Sequence, residues 1–344
     1  MIYGGLTMEK IRIGVICPSE IAYRRFMPAL KKCDGIEFAG ISTADASEWN
    51  GVLTEELKKS EIEKARKFTD EYGGKLYDSY AALLSSPDID AVYLPLPPAL
   101  HYRWGKAALE KGKHLFMEKP FTTSLEDTKE LISMAHSKDL AVHENYMFAF
   151  HSQIEWIKNK ISEGTIGDMR LIRIDFGFPF RGANDFRYNK ALGGGALLDC
   201  GGYTLKLAGM FLGETAKVAA SKLCGKDGFE VDIYGNATLT NDDGLTAQVS
   251  FGMDNSYRCS LDVWGSTGSI YTNRILTAPD GFEPTVIIKQ GNEEQSFTLP
   301  ADDTFRKSIC RFVQCCSEDN ARAENYDMIL RQGFLTDEFN KMLK

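Results

Sequence analysis

The sequence predicts an α/β protein: a doubly wound parallel sheet followed by a second domain on a large, open, mostly antiparallel sheet. Three observations carry this. The chain has 344 residues, more than one typical domain. Between Lys10 and His143, short apolar runs alternate with amphipathic stretches, the pattern of parallel strands joined by right-handed helical crossovers. From Met169 onward, strand-like runs follow one another with only turn signals between them, which implies antiparallel pairing. The boundary falls near residues 144–150, giving a segment 9–145 and a segment 146–344.

Taken in order, residues 11–16 read as a first strand, 22–32 as a helix and 36–41 as a second strand. Residues 43–76 are rich in Glu and Lys and read as an exposed helix in a solvated surface insertion. Residues 91–94, 114–117 and 140–143 are strands, separated by helices around 102–110 and 125–136. In the second segment the strands are 171–178, 218–223, 232–239, 246–251, 258–264, 285–288 and 296–299, with closing helices at 305–316 and 326–343. An open sheet of this kind is expected to leave an apolar face, covered in a symmetric homo-oligomer, a dimer or tetramer.

Hydrophobic residues make up 43% of the chain and charged residues 26%, ordinary for a folded domain. The net charge of −8 argues against nucleic acid as a partner. No apolar run approaches the roughly 18 residues of a membrane span, and the first residues lack a basic stretch followed by an apolar one, so a cytoplasmic location is expected. The eight cysteines are scattered, without Cys-x-x-Cys pairs or zinc-like His spacing, so buried thiols and no metal are expected. Residues 1–7 precede a second methionine, Met8, and lie outside the fold reading.

The turn after the first strand is Cys17-Pro18-Ser19-Glu20-Ile21-Ala22. A dinucleotide loop wants glycine or another small residue at the first, third and sixth positions, for a tight turn and close approach of a pyrophosphate. Here they are Cys17, Ser19 and Ala22, small but not glycine, so the signal is weakened. At the end of the second strand, where an NAD-selective site places a carboxylate, stand Ser42 and Thr43. NADP is therefore permitted and NAD possible. Arg24 or Arg25 offers charge for a 2′-phosphate, although both read equally as solvated helix residues.

The apolar run His114–Met117 stops abruptly on Glu118-Lys119-Pro120. Ligands of open α/β sheets sit beyond the carboxyl ends of the strands, so Lys119 is a candidate catalytic residue, its angle restricted by the proline that follows. From spacing alone, the pair reads rather as an ordinary exposed Glu-Lys closing a strand. Further on, a glycine-rich entry, Gly193-Gly194-Gly195, opens a helix carrying Asp199 and Tyr203 four residues apart, hence on one face. A carboxylate and a phenol so placed can form an acid/base pair. By themselves they read rather as a carboxylate favoured by the helix dipole and a buried tyrosine.

Three blocks taken together, Tyr93 to His101, Gly112 to Pro120 and Gly193 to Tyr203, resemble in order and spacing the Gfo/Idh/MocA family of oxidoreductases. Gly164-Thr165-Ile166-Gly167 and Trp264-Gly265-Ser266-Thr267-Gly268 extend the resemblance, which runs from Ile11 to about Leu343. It implies an N-terminal Rossmann domain, a C-terminal α/β domain whose open sheet makes oligomer contacts, and hydride transfer between a nicotinamide cofactor and a sugar or related small molecule. The family lysine falls on Lys119, its aspartate on Asp199 and its frequent histidine on Tyr203. Tyrosine there is shared with the branch of glucose-fructose oxidoreductase, dihydrodiol dehydrogenase and nucleotide-sugar 3-ketoreductases. Ala149 departs from the arginine that many members carry in this stretch.

By this resemblance the cofactor site comprises Cys17, Pro18, Ser19, Glu20, Ile21, Ser42, Thr43, Leu94, Pro95, Pro97, His101, Glu118, Lys119 and Asn145. The substrate meets Lys119, Arg187, Asp199 and Tyr203, with Arg187 reading equally as a surface arginine. The expected protein is an NADP-dependent oxidoreductase acting on a sugar or nucleotide sugar, in which Tyr203 or Lys119 gives the proton and the Lys119 ammonium lowers the phenol's pKa. A sugar oxidase or dehydrogenase running in the opposite direction is a second enzymatic reading. The rival from another class is a non-catalytic NAD(P)-responsive sensor of the same fold. Lys119, Asp199 and Tyr203 together favour the enzyme.

Overall fold

The computed structural model describes residues 10–49 and 53–343. Ile13 and Val15, β-branched and fully buried, favour an extended chain at the centre of the first sheet. Around β1 (Ile11–Val15) lie β2 (Ile36–Ser42), β3 (Lys75–Tyr77), β4 (Ala91–Leu94), β5 (His114–Met117) and β6 (Val142–Glu144), all parallel. Their order is β3-β2-β1-β4-β5-β6. The chain changes direction across the sheet between β1 and β4, which opens a crevice at the carboxyl ends of those strands.

The sheet is covered by α1 (Met27–Leu30), which continues a π-helical turn at Ala22–Phe26, and by α2 (Glu55–Tyr72), α3 (Tyr80–Leu84), α4 (His101–Glu110) and α5 (Leu125–Ser137). Hydroxyl caps start three of them: Thr54, Ser79 and Ser124 accept from the backbone N–H of Leu57, Ala82 and Asp127. The polar segment 43–76 does contain a helix, but α2 is not solvated all round, since Ala65 and Phe68 are buried against the sheet. The three-residue β3 behind it is too short to leave a periodic signal.

The second sheet has eight strands in the order β14-β13-β12-β11-β7-β10-β9-β8. After α6 (Ser152–Ser162) come β7 (Met169–Gly177) and α7 (Gly202–Leu212), then β8 (Lys217–Cys224), β9 (Tyr234–Thr240), β10 (Thr246–Gly252) and β11 (Arg258–Gly265). β12 (Gly268–Asn273), β13 (Thr285–Gln290) and β14 (Glu293–Thr298) complete it. Each of the seven expected strands is present, while β12 and α6 had no expected counterpart. All neighbours pair antiparallel except β7 with β10, which run parallel.

Strict alternation sends Ile172, Ile174 and Phe176 into a core shared with Leu205 and Ala208 of α7. The opposite face carries Arg173, Asp175, Gln248, Arg258 and Asp262, with Arg258 paired to Asp175 at 3.3 Å. The expected apolar face is thus a mixed one, polar side chains interspersed with exposed Trp264, Tyr234 and Tyr271. The strands' outward residues mix charged, amide and hydroxyl groups with scattered aromatics, as an antiparallel sheet with one solvated face does.

The last helices, α8 (Thr304–Ser317) and α9 (Asp319–Lys341), return to the first sheet. Phe305, Ile309 and Phe312 share a core with Ile13, Phe26, Tyr93 and Phe116, and Tyr326 and Ile329 pack with Leu131 and Val142. Residues from the two ends of the chain therefore meet beneath the crevice. Among the described residues no helix is long and apolar enough to cross a membrane, and no group of three or more His, Cys, Asp and Glu is placed to hold a metal ion.

Candidate active site

Lys119 leaves the end of β5 and crosses to the helix entry of the second sheet. Its Nζ donates to both the backbone carbonyl and Oδ1 of Asp199, each at 2.8 Å. An ammonium has three donors, so one remains for a ligand. The other carboxylate oxygen of Asp199 accepts from Arg187 Nε at 2.9 Å, and Arg187 Nη1 reaches Asp185 at 3.1 Å. The result is a chain of alternating charge, Lys119, Asp199, Arg187, Asp185. Burial pushes the Asp199 carboxyl up, but Lys119 and Arg187 outweigh it and hold the group at about 2. Arg187 is no free surface arginine; its side chain is 20% exposed.

Local sequence dictates this helix entry. Gly195 has φ of 126°, and a Cβ there would lie 2.5 Å from Asp232 Oδ1. Asp232 in turn accepts from the Leu197 N–H at 2.7 Å, satisfying one of the orphan donors where the helix starts. The first turn, Leu197–Gly201, is π-helical and passes into α7. It brings Asp199 and Tyr203 to the same side, with Lys119 Nζ 4.9 Å from the centre of the Tyr203 ring.

Tyr203 is boxed by Tyr146, Phe148 and Phe176, with ring centres 5.1, 5.6 and 5.2 Å away. It is 8% exposed, and its hydroxyl is neither hydrogen-bonded among the described residues nor sealed from solvent. Burial pushes this phenol well above its ordinary range, the carboxylates of Glu118 and Asp199 add to that, and Arg187 opposes them. The expected lowering by Lys119 is therefore not what the structure gives, because burial of the phenol, with Glu118 and Asp199, outweighs the cations nearby.

At the carboxyl ends of β1 and β4 lies a cleft of about 750 Å³, lined by Cys17, Pro18, Ser19, Glu20 and Pro97 of the expected cofactor residues. Ser19 Oγ accepts from the Ala22 N–H at 3.2 Å, so the turn opens directly into the N-terminus of a helix, a ready anion site. Volume, apolar walls and that helix start fit a nicotinamide dinucleotide. Burial, reinforced by Glu61, pushes the Cys17 thiol up to about 12, which leaves it an inert wall of the cleft.

Other expected cofactor residues sit elsewhere. Ser42 is fully buried and its hydroxyl donates to the Ile16 carbonyl at 3.3 Å; Thr43 is 5% exposed. Ile21 points outward, whereas Leu94 and Pro95 are buried. His101 is fully buried, with Nδ1 and Nε2 each 2.7 Å from a carbonyl, those of Pro120 and Leu96. It ties the loop after β4 to the turn carrying Lys119. Glu118 Oε1 accepts from Tyr93 and from Asn145 Nδ2, both at 2.7 Å. Arg24, offered as charge for a 2′-phosphate, does line the cleft, paired there with Glu20 at 2.7 Å, whereas Arg25 lies over the Phe305 ring.

Several cleft residues escaped the sequence reading, among them Tyr23, Trp49, Tyr80 and two cations. Lys64 and Lys67, on the face of α2 set aside as solvated, line the cleft beside Glu61 and Phe68. Lys64 pairs with Glu61 at 2.6 Å. The signal that could have found them is the apolar pair Ala65 and Phe68, three apart, which marks this helix as amphipathic.

Residues 11–146 match the oxidoreductase family with an NAD-binding Rossmann fold, and residues 154–271 match the GFO/IDH/MocA C-terminal domain. The chain is 37% identical over 327 residues, 95% of its length and 94% of the relative's, to a dTDP-3,4-didehydro-2,6-dideoxy-alpha-D-glucose 3-reductase of Actinomadura kijaniata. It is similar in structure to KijD10, a 3-ketoreductase of the same organism solved in complex with NADP and TDP-benzene: TM-score 0.89, 36% identity, 97% of this chain and 98% of that one. An aldose-aldose oxidoreductase of Caulobacter crescentus shares the fold, with TM-score 0.83 at 20% identity, covering 97% of this chain and 98% of that one. The chain belongs to the GFO/IDH/MocA family of oxidoreductases.

Proposed function

We propose that this protein uses NADPH to reduce a keto group of a nucleotide-linked sugar. The reading rests above all on one arrangement: beyond the carboxyl end of β5, Lys119 keeps one uncommitted N–H and its Nζ lies 4.9 Å from the ring centre of Tyr203, whose hydroxyl is unbonded. Likeness to nucleotide-sugar 3-ketoreductases over nearly the whole chain supports the substrate class. When bound, the cofactor supplies hydride from C4 of its reduced nicotinamide.

The chain's own residues then have separate tasks. Tyr203, kept protonated by burial, gives its proton to the oxygen that becomes the alcohol. Lys119 donates a hydrogen bond to the same oxygen as negative charge develops there. Asp199 and Arg187 hold Lys119 in place, and Arg187 keeps N–H donors for substrate hydroxyl or phosphate oxygens. Lys64 and Lys67 supply charge for the 2′-phosphate, in a site whose β2 end offers no carboxylate to repel it. In this reading residues 9–145 form the cofactor-binding unit, and residues 146–344 the unit for substrate and homo-oligomer contacts, with Trp264 and Tyr271 as apolar anchors on the outer face.

Purified protein incubated with a panel of free and nucleotide-linked keto sugars and each cofactor, followed by nicotinamide absorbance, tests the reading. Oxidation of NADPH is expected with nucleotide-linked substrates. Turnover of free sugars alone would reject the substrate class.

A further inference from the structure

The buried groups beneath Glu118 form one continuous hydrogen-bonded line that ends on α8. His143 Nε2 is 2.8 Å from Ser308 Oγ, Ser308 Oγ donates to Asn145 Oδ1 at 2.8 Å, and Asn145 Nδ2 donates to Glu118 Oε1 at 2.7 Å. Ser308 is fully buried and His143 and Asn145 are each 1% exposed, so water cannot substitute for a missing member. Tyr93 completes the line by donating to the same Glu118 oxygen.

Each proton in this line has a single place. A carboxylate oxygen only accepts, so the Asn145 amide must turn its nitrogen toward Glu118 and its oxygen toward Ser308. The one hydroxyl proton of Ser308 is thereby committed to Asn145, and the serine oxygen is left to accept from His143. His143 is neutral, since burial together with Lys206 and Arg311 pushes it down to about 3 against an opposing contact with Asn325, and the Ser308 oxygen that it faces can only accept. Its single proton therefore sits on Nε2, the nitrogen facing Ser308.

We propose that Ser308 is a positioning residue of the cofactor crevice, anchoring on the α8 side the Asn145 amide in the direction Glu118 requires and, through it, holding the Glu118 carboxylate beside Lys119. Without the hydroxyl, nothing distinguishes the two ends of the Asn145 amide on the α8 side. Half-rotation of the amide would set oxygen against oxygen at Glu118. The closing helices thus act on the crevice as well as covering the sheet. The proposal rests on the reading that this crevice takes NADPH.

Ser308→Ala, Ser308→Thr and wild type are compared for NADPH affinity, turnover and thermal midpoint, and the imidazole tautomers of the wild type are read by nitrogen-15 NMR. Ser308→Ala is expected to weaken NADPH binding about tenfold, with the Michaelis constant for the keto sugar unchanged, and Ser308→Thr to recover it. His143 is expected to carry its proton on Nε2. Unaltered NADPH affinity in a folded Ser308→Ala overturns the proposal, and so does a proton on Nδ1 of His143. Should Ser308→Ala not fold, the tautomer decides. Failure of the wild type to bind NADPH would instead reject the cofactor reading, which the tautomer measurement does not depend on.

Discussion

Lys119 and Asp199 are 80 positions apart in the chain and 2.8 Å apart in space, with side chains only 12% and 11% exposed. A buried ion pair of this kind is weak evidence for stability but holds a charge in one place. Removing the ammonium while Arg187 still neutralises Asp199 should spare the fold. Lys119→Ala is expected to lower turnover by about 10²- to 10⁴-fold with NADPH affinity unchanged. Steady-state kinetics beside a binding titration checks this; equal losses in both would make Lys119 a cofactor contact only.

Tyr203→Phe removes one oxygen from an aromatic box and leaves its packing intact. Turnover is expected to fall by about 10²- to 10⁴-fold while the thermal midpoint stays put. Near-normal turnover would leave Lys119 as the sole donor.

NADPH is expected to bind more tightly than NADH. Replacing both Lys64 and Lys67 by Gln is expected to weaken NADPH about tenfold or more and to leave NADH untouched. Fluorescence titration of both cofactors separates these outcomes. A parallel loss for NADH would place the two lysines away from the 2′-phosphate.

Asp199 gives a pH signature. Its carboxyl is held at about 2 in the folded protein against an ordinary 3.8, so the unfolded chain takes up the proton first as pH falls. Its contribution, about 2 kcal/mol, is fully present above the ordinary value and is lost as pH drops from about 4 through about 2. Denaturant unfolding across that window should show a steeper loss in wild type than in Asp199→Asn. Identical slopes would contradict the pairing.

Gly202 faces the hydroxyl of Tyr146, a buried oxygen with no hydrogen-bond partner, and a Cβ on Gly202 would collide with it. Gly202→Ala is expected to destabilise by about 1 to 3 kcal/mol, and Tyr146→Phe to relieve most of that loss. Tyr146→Phe alone should be close to neutral, since it removes an unsatisfied group. Additive rather than compensating effects in thermal unfolding would show that the two do not touch.

The fold was legible in the sequence because it is written in local periodicity. The apolar runs of β1, β4 and β5 and the alternation in β7, β10 and β11 follow from side chains that must be buried on two faces or on one. Lys119, Asp199 and Tyr203 became legible only through the resemblance of three blocks taken together, since the places where elements end or begin, beside Pro120 or the run from Gly193 to Gly195, fit a surface ion pair and a helix-start carboxylate as well. What the sequence does not carry is which distant charges share a partner. Only the tertiary structure turned Ser42 toward Ile16, brought α2 to the cleft through Lys64 and Lys67, set Asp199 between Lys119 and Arg187, and buried the Tyr203 phenol so that it is pushed up despite the nearby cations. The same holds for Ser308, which in sequence is one polar position in a closing helix and in space meets Asn145, 163 positions away. Secondary structure depends on neighbours in sequence; hydrogen-bond direction and electrostatics depend on neighbours in space, and those are set when α8 and α9 close back on the first sheet.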